Sequence, residues 1–214
     1  MRPEAVWDTI HTERAALADL LETLSPVEWD CPSLCRGWTV RHVAAHVISS
    51  PQARLGPTAL ALARARGNFD RCIHDAAVVS AQRPVEQIVA DYRRFAGSRR
   101  HPPGTTQLEP LLDVLVHTQD IVIPLGRPHP MPTAAARVAA DRVWRKGFPF
   151  HARTRLRGFQ LTATDVAWSV GQGLAIEGPI ESLLLLLTGR TASLPQLSGR
   201  GLASLVRQLD EVTP

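Results

Sequence analysis

The sequence is short of lysine, cysteine and aromatic residues, and each shortage excludes a class of protein. All but one of the 24 basic residues are arginine, and they are spread along the chain rather than clustered with aromatic side chains, so the net charge of +4 does not indicate a nucleic-acid surface. The three cysteines, Cys31, Cys35 and Cys72, form neither a disulfide framework nor a paired zinc knuckle, and we expect free thiols. No apolar run approaches the roughly 20 residues that cross a bilayer, so we expect no membrane partner either.

The order of patterns along the chain predicts two parts. The N-terminus passes from Met1 directly into an amphipathic helical pattern, unlike a signal peptide, so we expect a cytoplasmic protein. Helical periodicity continues to about residue 127, and the stretch 126–132 then contains three prolines, which is typical of a linker. Alternating segments that follow predict strands. The predicted fold class is α+β and mainly α, with a helical bundle over residues 1–127 followed by a small α/β domain over residues 133–214.

A narrow polar stripe marks the helix predicted over residues 108–123. Asp113, His117 and Asp120 are spaced by four and three residues, which places them on one face of a helix. Apolar side chains flank this face on both sides, and a helix that is apolar nearly all round is buried. Buried ionisable groups must be paired, hydrogen-bonded or bound to a metal, so the stripe indicates a metal site. The alternative for Asp113 and His117 is an ion pair on a helix surface.

An earlier helix, predicted to begin after Thr39, offers His42 and His46 as further ligands. His46 lies next to Val43 at the edge of the apolar face, whereas His42 lies towards solvent, so His46 is the better inward candidate. One histidine from this helix and the Asp113/His117 pair would supply three protein ligands and leave a fourth position open, as in catalytic zinc sites. Taken alone, His46 also fits a histidine at the edge of the core.

Three segments together resemble the mycothiol-dependent maleylpyruvate isomerase family, which belongs to the DinB-like superfamily of metal-binding four-helix bundles. The first runs from Trp29 through Gly37-Trp38-Thr39 to His46. The second is the Asp113-x-x-x-His117-x-x-Asp120 stripe, and the third is a C-terminal segment over residues 159–171.

This resemblance implies a DinB-like bundle that holds a divalent metal, usually zinc, with His46, Asp113 and His117 as ligands. The family more often has glutamate where this chain has Asp113. It also implies mycothiol as a thiol cosubstrate, a small electrophilic substrate, and an isomerase or thiol S-transferase activity. Asp120 would orient one of the metal ligands without itself binding the metal. No oligomeric state is implied.

Two other functions stay open from the sequence. A non-catalytic metal-binding or regulatory module would keep the three ligands without an open position or a thiol pocket. A metal-dependent hydrolase would need a general base near the metal, and Asp120 is the sequence candidate for it. Cys35 fits a small buried packing residue better than a catalytic thiol.

Overall fold

The computed structural model describes residues 1–212, which divide into two compact units, the first ending at Pro130 and the second beginning at Met131. The division falls inside the proline-rich stretch 126–132. Within the described residues, no helix is both long enough and apolar enough to span a bilayer.

All of the helices and strands described in the first unit are helices. Its helices are α1 (Pro3–Glu22), α2 (Pro26–Asp30), α3 (Val40–Ser49), α4 (Leu55–Arg64), α5 (Phe69–Ala81), α6 (Val85–Phe95) and α7 (Leu108–Val122), with a 3-10 turn at Ser50–Gln52. Helices α1 and α3 each pack against both α6 and α7, so these four form the bundle. Helix α5 packs on the outside of α3, and α4 packs on α5. The predicted four-helix bundle is therefore confirmed, with α4 and α5 as an added hairpin.

The interior of the bundle is apolar, with one buried tyrosine bridging two helices. Leu17, Ile88 and Leu111, from three different helices, are fully buried, and each such side chain stabilises the fold by about 1.5–3 kcal/mol. Tyr92 on α6 is also fully buried, and its hydroxyl donates a 2.9 Å hydrogen bond to the carbonyl of Ala44 on α3. This bond ties α6 to the middle of the helix that carries His46.

The link between α1 and α3 contains a short helix. The dipeptide Ser25-Pro26 starts α2. Ser25 and Glu28 form a reciprocal capping box, and Pro26 suits the first helical turn. Glu28 also accepts two hydrogen bonds from Arg127, which fastens the segment after α7 to this corner.

The second unit combines helices with a small mixed sheet. Its elements are α8 (Thr133–Lys146), α9 (Ala152–Arg155), β1 (Gly158–Ala163), β2 (Ser169–Gly171), β3 (Gly173–Gly178), α10 (Ile180–Leu187) and α11 (Leu202–Val212), with a 3-10 turn at Leu194–Gln196. Strand β1 is central, antiparallel to β2 and parallel to β3. The predicted mainly helical α+β class is confirmed. Arg155 closes α9, and β1 begins three residues later at Gly158.

The corner at Glu28 predicts an acid-dependent contribution to stability. Its backbone bond from Ser25, and then its contacts with Arg127, lower the pKa of the Glu28 carboxyl from 4.5 to about 2. A depressed carboxyl pKa adds stability that is present above the unfolded value and is lost as pH falls through the folded value. The free energy of unfolding of the wild type should therefore exceed that of Glu28→Gln above pH 4.5, and the difference should shrink towards pH 2.

Chemical denaturation of both proteins across this range measures the effect. Glu86→Gln, at an exposed position on α6, is the matched control and should leave the pH profile unchanged. A difference between wild type and Glu28→Gln that does not vary with pH would contradict the prediction.

Candidate metal centre

Helix α3 presents His46 because of the way in which the helix begins. Thr39 is its N-cap, and the His42 ring turns back so that Nδ1 accepts the Thr39 backbone N–H at 3.2 Å and lies 2.8 Å from its hydroxyl. His42 thus completes a capping box at the start of the helix. One turn later, His46 lies beside α7. The choice of His46 over His42 from the apolar face agrees with this arrangement.

His46, Asp113 and His117 converge in the first unit. Each offers one ligand atom, and the three atoms all lie within 4.8 Å of one another. The rings of His46 and His117 meet edge to face, with centroids 4.9 Å apart. All three residues are half-buried, and the His117 side chain keeps 14% of its surface exposed. The sequence-predicted triad is brought together by the fold, and its binding of a metal stays a prediction.

The chemistry of this donor set fits a divalent ion. Two imidazole nitrogens and a carboxylate oxygen are the ligands of His₂-carboxylate zinc sites, which leave a coordination position open. Trp38 covers the group on one side, with its ring centroid 5.2 Å from that of His46 and 6.4 Å from that of His117. The three residues can therefore hold an ion against an apolar wall.

Asp120 contacts His117 on the side away from the triad, and its predicted role in orienting that ligand stays a prediction. Its carboxylate is fully buried, and its Oδ2 lies 2.7 Å from His117 Nδ1. This contact leaves Nε2 as the nitrogen available to an ion, the arrangement of carboxylate–histidine–metal sites. Burial by itself lowers the pKa of His117, but the bonds to Asp120 and Cys35 outweigh it and raise that pKa to about 10. An ion that binds Nε2 at neutral pH therefore displaces a proton.

Cys35 is the residue that sequence reasoning missed. It was expected to be a packing residue, but its Sγ lies 3.0 Å from Asp120 Oδ2 and 3.7 Å from His117 Nδ1. The backbone N–H of Leu34 also donates to the Asp120 carbonyl at 3.1 Å. Cys35, His117 and Asp120 form a second compact group that shares His117 with the triad. Because its closest distances are those of hydrogen bonds, we interpret this group as the support of the His117 ring.

Comparison with known proteins shows a domain that most of the first unit resembles. Residues 10–107 match the mycothiol maleylpyruvate isomerase N-terminal domain. This segment contains His46 and Cys35 and ends one residue before α7. Among curated proteins, none matches this sequence.

Two solved structures share the fold. One is a crystal structure of the mycothiol-dependent maleylpyruvate isomerase, with a TM-score of 0.67 and 14% identity, covering 94% of this chain and 93% of that chain. The other is a histidine-to-alanine mutant of that isomerase, with a TM-score of 0.64, 13% identity and the same coverage. The predicted resemblance is therefore confirmed for the N-terminal domain family and for the fold.

The convergence of the triad predicts one divalent ion per chain. His46→Ala and His117→Ala each remove one of three ligands, so zinc affinity should fall by more than the roughly 10–100-fold that follows loss of an outer hydrogen-bonding partner. His42→Gln is the matched control, because glutamine keeps the capping interaction and His42 is not in the triad. Competition with a chromophoric chelator measures the affinity. Equal affinity in His46→Ala and the wild type would exclude this site.

The support behind His117 generates a separate prediction. Asp120→Asn keeps the shape of the side chain but removes the charge that raises the basicity of His117, so zinc affinity should fall roughly 10–100-fold. Cys35→Ser keeps an O–H donor to Asp120 and should bind zinc more tightly than Cys35→Ala. Chelator competition gives the affinities, and circular dichroism checks that each variant is folded. Unchanged affinity in a folded Asp120→Asn protein would show that the carboxylate does not tune the centre.

Proposed function

We propose that this chain, which carries the mycothiol maleylpyruvate isomerase N-terminal domain on the isomerase's fold, is a metal-dependent enzyme that uses a low-molecular-weight thiol. Its reaction would be isomerisation of a small electrophile or transfer of the thiol sulfur to it. The observation that carries the proposal is the convergence of His46, Asp113 and His117 within 4.8 Å of one another. A centre with three protein ligands keeps a position for an exogenous ligand.

The protein's own groups have distinct roles in this proposal. His46, Asp113 and His117 would hold the ion, and the Asp120 carboxylate would keep the His117 proton on Nδ1. Trp38 would restrict water on one side of the centre. When bound, zinc would stabilise the thiolate form of the cosubstrate, which is the nucleophilic form.

Attack of the thiolate on an electrophilic carbon would lead to one of two products. Addition to a conjugated double bond, rotation about the resulting single bond and elimination return the thiol and give the cis–trans isomer. If the sulfur is retained, the product is a thioether. Neither outcome changes the oxidation state of the sulfur, so neither needs an oxidant. Mycothiol is the favoured cosubstrate, since the structurally similar isomerase is mycothiol-dependent.

The hydrolase alternative loses its candidate base. Asp120 was the residue assigned to activate water, but its carboxylate is fully buried and its Oδ2 is engaged by both His117 and Cys35. A carboxylate held in this way cannot reach a water molecule on the open side of the centre. The other alternative, a non-catalytic metal-binding module, predicts no thiol binding, so a thiol-binding measurement tests it directly.

Thiol binding should depend on the metal. Zinc-loaded protein should gain about 2.7 kcal/mol of stability from mycothiol at 100 times its Kd, which raises Tm by roughly 5–10 °C for a chain of this size. Chelated protein and His46→Ala should show no such shift, and His42→Gln should behave like the wild type. Differential scanning fluorimetry makes the measurement.

Turnover of maleylpyruvate with and without mycothiol, followed by chromatography of the products, then separates isomerisation from S-transfer. A protein that binds zinc stoichiometrically but never responds to the thiol would be a metal-binding module, and the proposal would be wrong.

A further inference from the structure

Helix α4 carries its apolar side chains on the outside of the protein. No residue of this helix is buried, and Ala61 is its one half-buried residue. Leu55 is 71% exposed, Leu60 is 51% exposed and Leu62 is 39% exposed. A helix on the surface of a globular protein usually turns its apolar side chains towards the core. The leucines of α4 are therefore not explained by the packing of the bundle.

The packing of α4 on α5 shows which half of the helix faces away from the protein. Ala61 is half-buried and Ala65, just after the helix, is buried, so these two residues mark the inner side. Ala63 lies two residues from each of them, which is about half a turn, so it marks the outer side. At about 100° per residue, the outer half contains Leu55, Gly56, Ala59, Leu60 and Ala63. The outer half thus has no polar side chain.

The charges around this apolar half are all positive. Arg64 lies at its edge in the last turn of α4, and Arg54 and Arg66 flank the two ends of the helix. Within residues 1–212, none of these three side chains forms an ion pair or a hydrogen bond. The segment 54–66 contains no acidic residue, and Asp70 on α5 is the nearest one in the sequence. An apolar face with basic residues at its edge and ends is typical of a helix that lies in the plane of a membrane interface.

We propose that the outer half of α4 binds the surface of a bilayer that contains anionic phospholipids. Leu55 and Leu60 enter the boundary between headgroups and acyl chains, to a depth of about 5–10 Å. The three arginines contact the lipid phosphates. The sequence gave no reason to expect a membrane partner because it lacks a spanning segment, but a helix that lies on the surface needs none.

The charge pattern argues against a second copy of this chain as the occupant. A two-fold interface brings the same patch of both subunits together, so Arg64 and the arginines near it would face like charges. Nucleic acid is disfavoured for a different reason, because α4 has no aromatic side chain on which a base could stack. A bilayer accepts a broad aliphatic surface and also supplies negative charge.

Co-sedimentation of the zinc-loaded protein with lipid vesicles tests the proposal. Vesicles of phosphatidylglycerol and phosphatidylcholine in equal parts should bind the wild type more tightly than pure phosphatidylcholine vesicles do, and added salt should weaken the binding. Leu60→Gln should weaken binding to the anionic vesicles about tenfold, since an apolar side chain no longer leaves water. Arg64→Gln should weaken it about fivefold, since one basic residue is lost at the membrane surface.

Val27→Gln and Arg137→Gln are the matched controls, because each replaces an exposed side chain of the same kind away from α4. Both should bind the vesicles like the wild type. Equal vesicle binding by the wild type and Leu60→Gln would overturn the proposal, and so would a wild type that does not bind the anionic vesicles. Analytical ultracentrifugation tests the remaining occupant: a wild-type dimer that Leu60→Gln converts to a monomer would assign this face to a second copy instead.

Zinc and mycothiol binding measured on the same samples separate this proposal from the proposed function. No residue of α4 belongs to the triad, so Leu60→Gln should bind zinc like the wild type. Vesicle binding without a response to the thiol would support the membrane site and contradict the thiol chemistry. A response to the thiol without vesicle binding would do the reverse.

Discussion

The contact between Asp120 and His117 is the interaction on which the site depends. A carboxylate with no exposed surface costs several kcal/mol to bury unless it is paired, and here the pair is an imidazole 2.7 Å away on the same helix. The pairing fixes the ring of His117 and therefore the direction of Nε2. It also leaves the carboxylate able to accept from the Cys35 thiol, which draws the loop before α3 against α7. One buried charge thus joins the loop before α3 to α7.

That arrangement explains why the predicted stripe is polar at all. Apart from it, α7 is apolar on nearly every side, and an apolar replacement of Asp120 would suit its burial better. A buried polar group that is retained in such a setting has a task in orienting a neighbour. The His117 ring is that neighbour, and the contact with Asp120 leaves its other nitrogen for an ion shared with the remaining two residues of the triad.

The sequence predicts positions within a helix much better than contacts between distant segments. Helical spacing was sufficient to place Asp113, His117 and Asp120 on one face, and the apolar face of α3 selected His46. Cys35 lies 85 residues from Asp120 along the chain, and no periodicity links the two. The one sequence feature that could have indicated the role of Cys35 is its place three residues before Trp38, in the loop that precedes α3. The short helix α2 is hard to predict for a different reason: a proline often follows the end of a helix, but Ser25-Pro26 here caps and begins one.

Arg14 illustrates the same limit and its physical consequence. On α1 it occupies a position in the helical pattern that points inward, yet charge at such a position is normally exposed, so periodicity alone gives it no role. The structure buries it beside Tyr92, within electrostatic range of Asp113. The Nε of Arg14 has no hydrogen-bond partner within residues 1–212, and a buried charged donor without an acceptor costs stability. An apolar side chain of the same shape at this position would therefore give a more stable bundle.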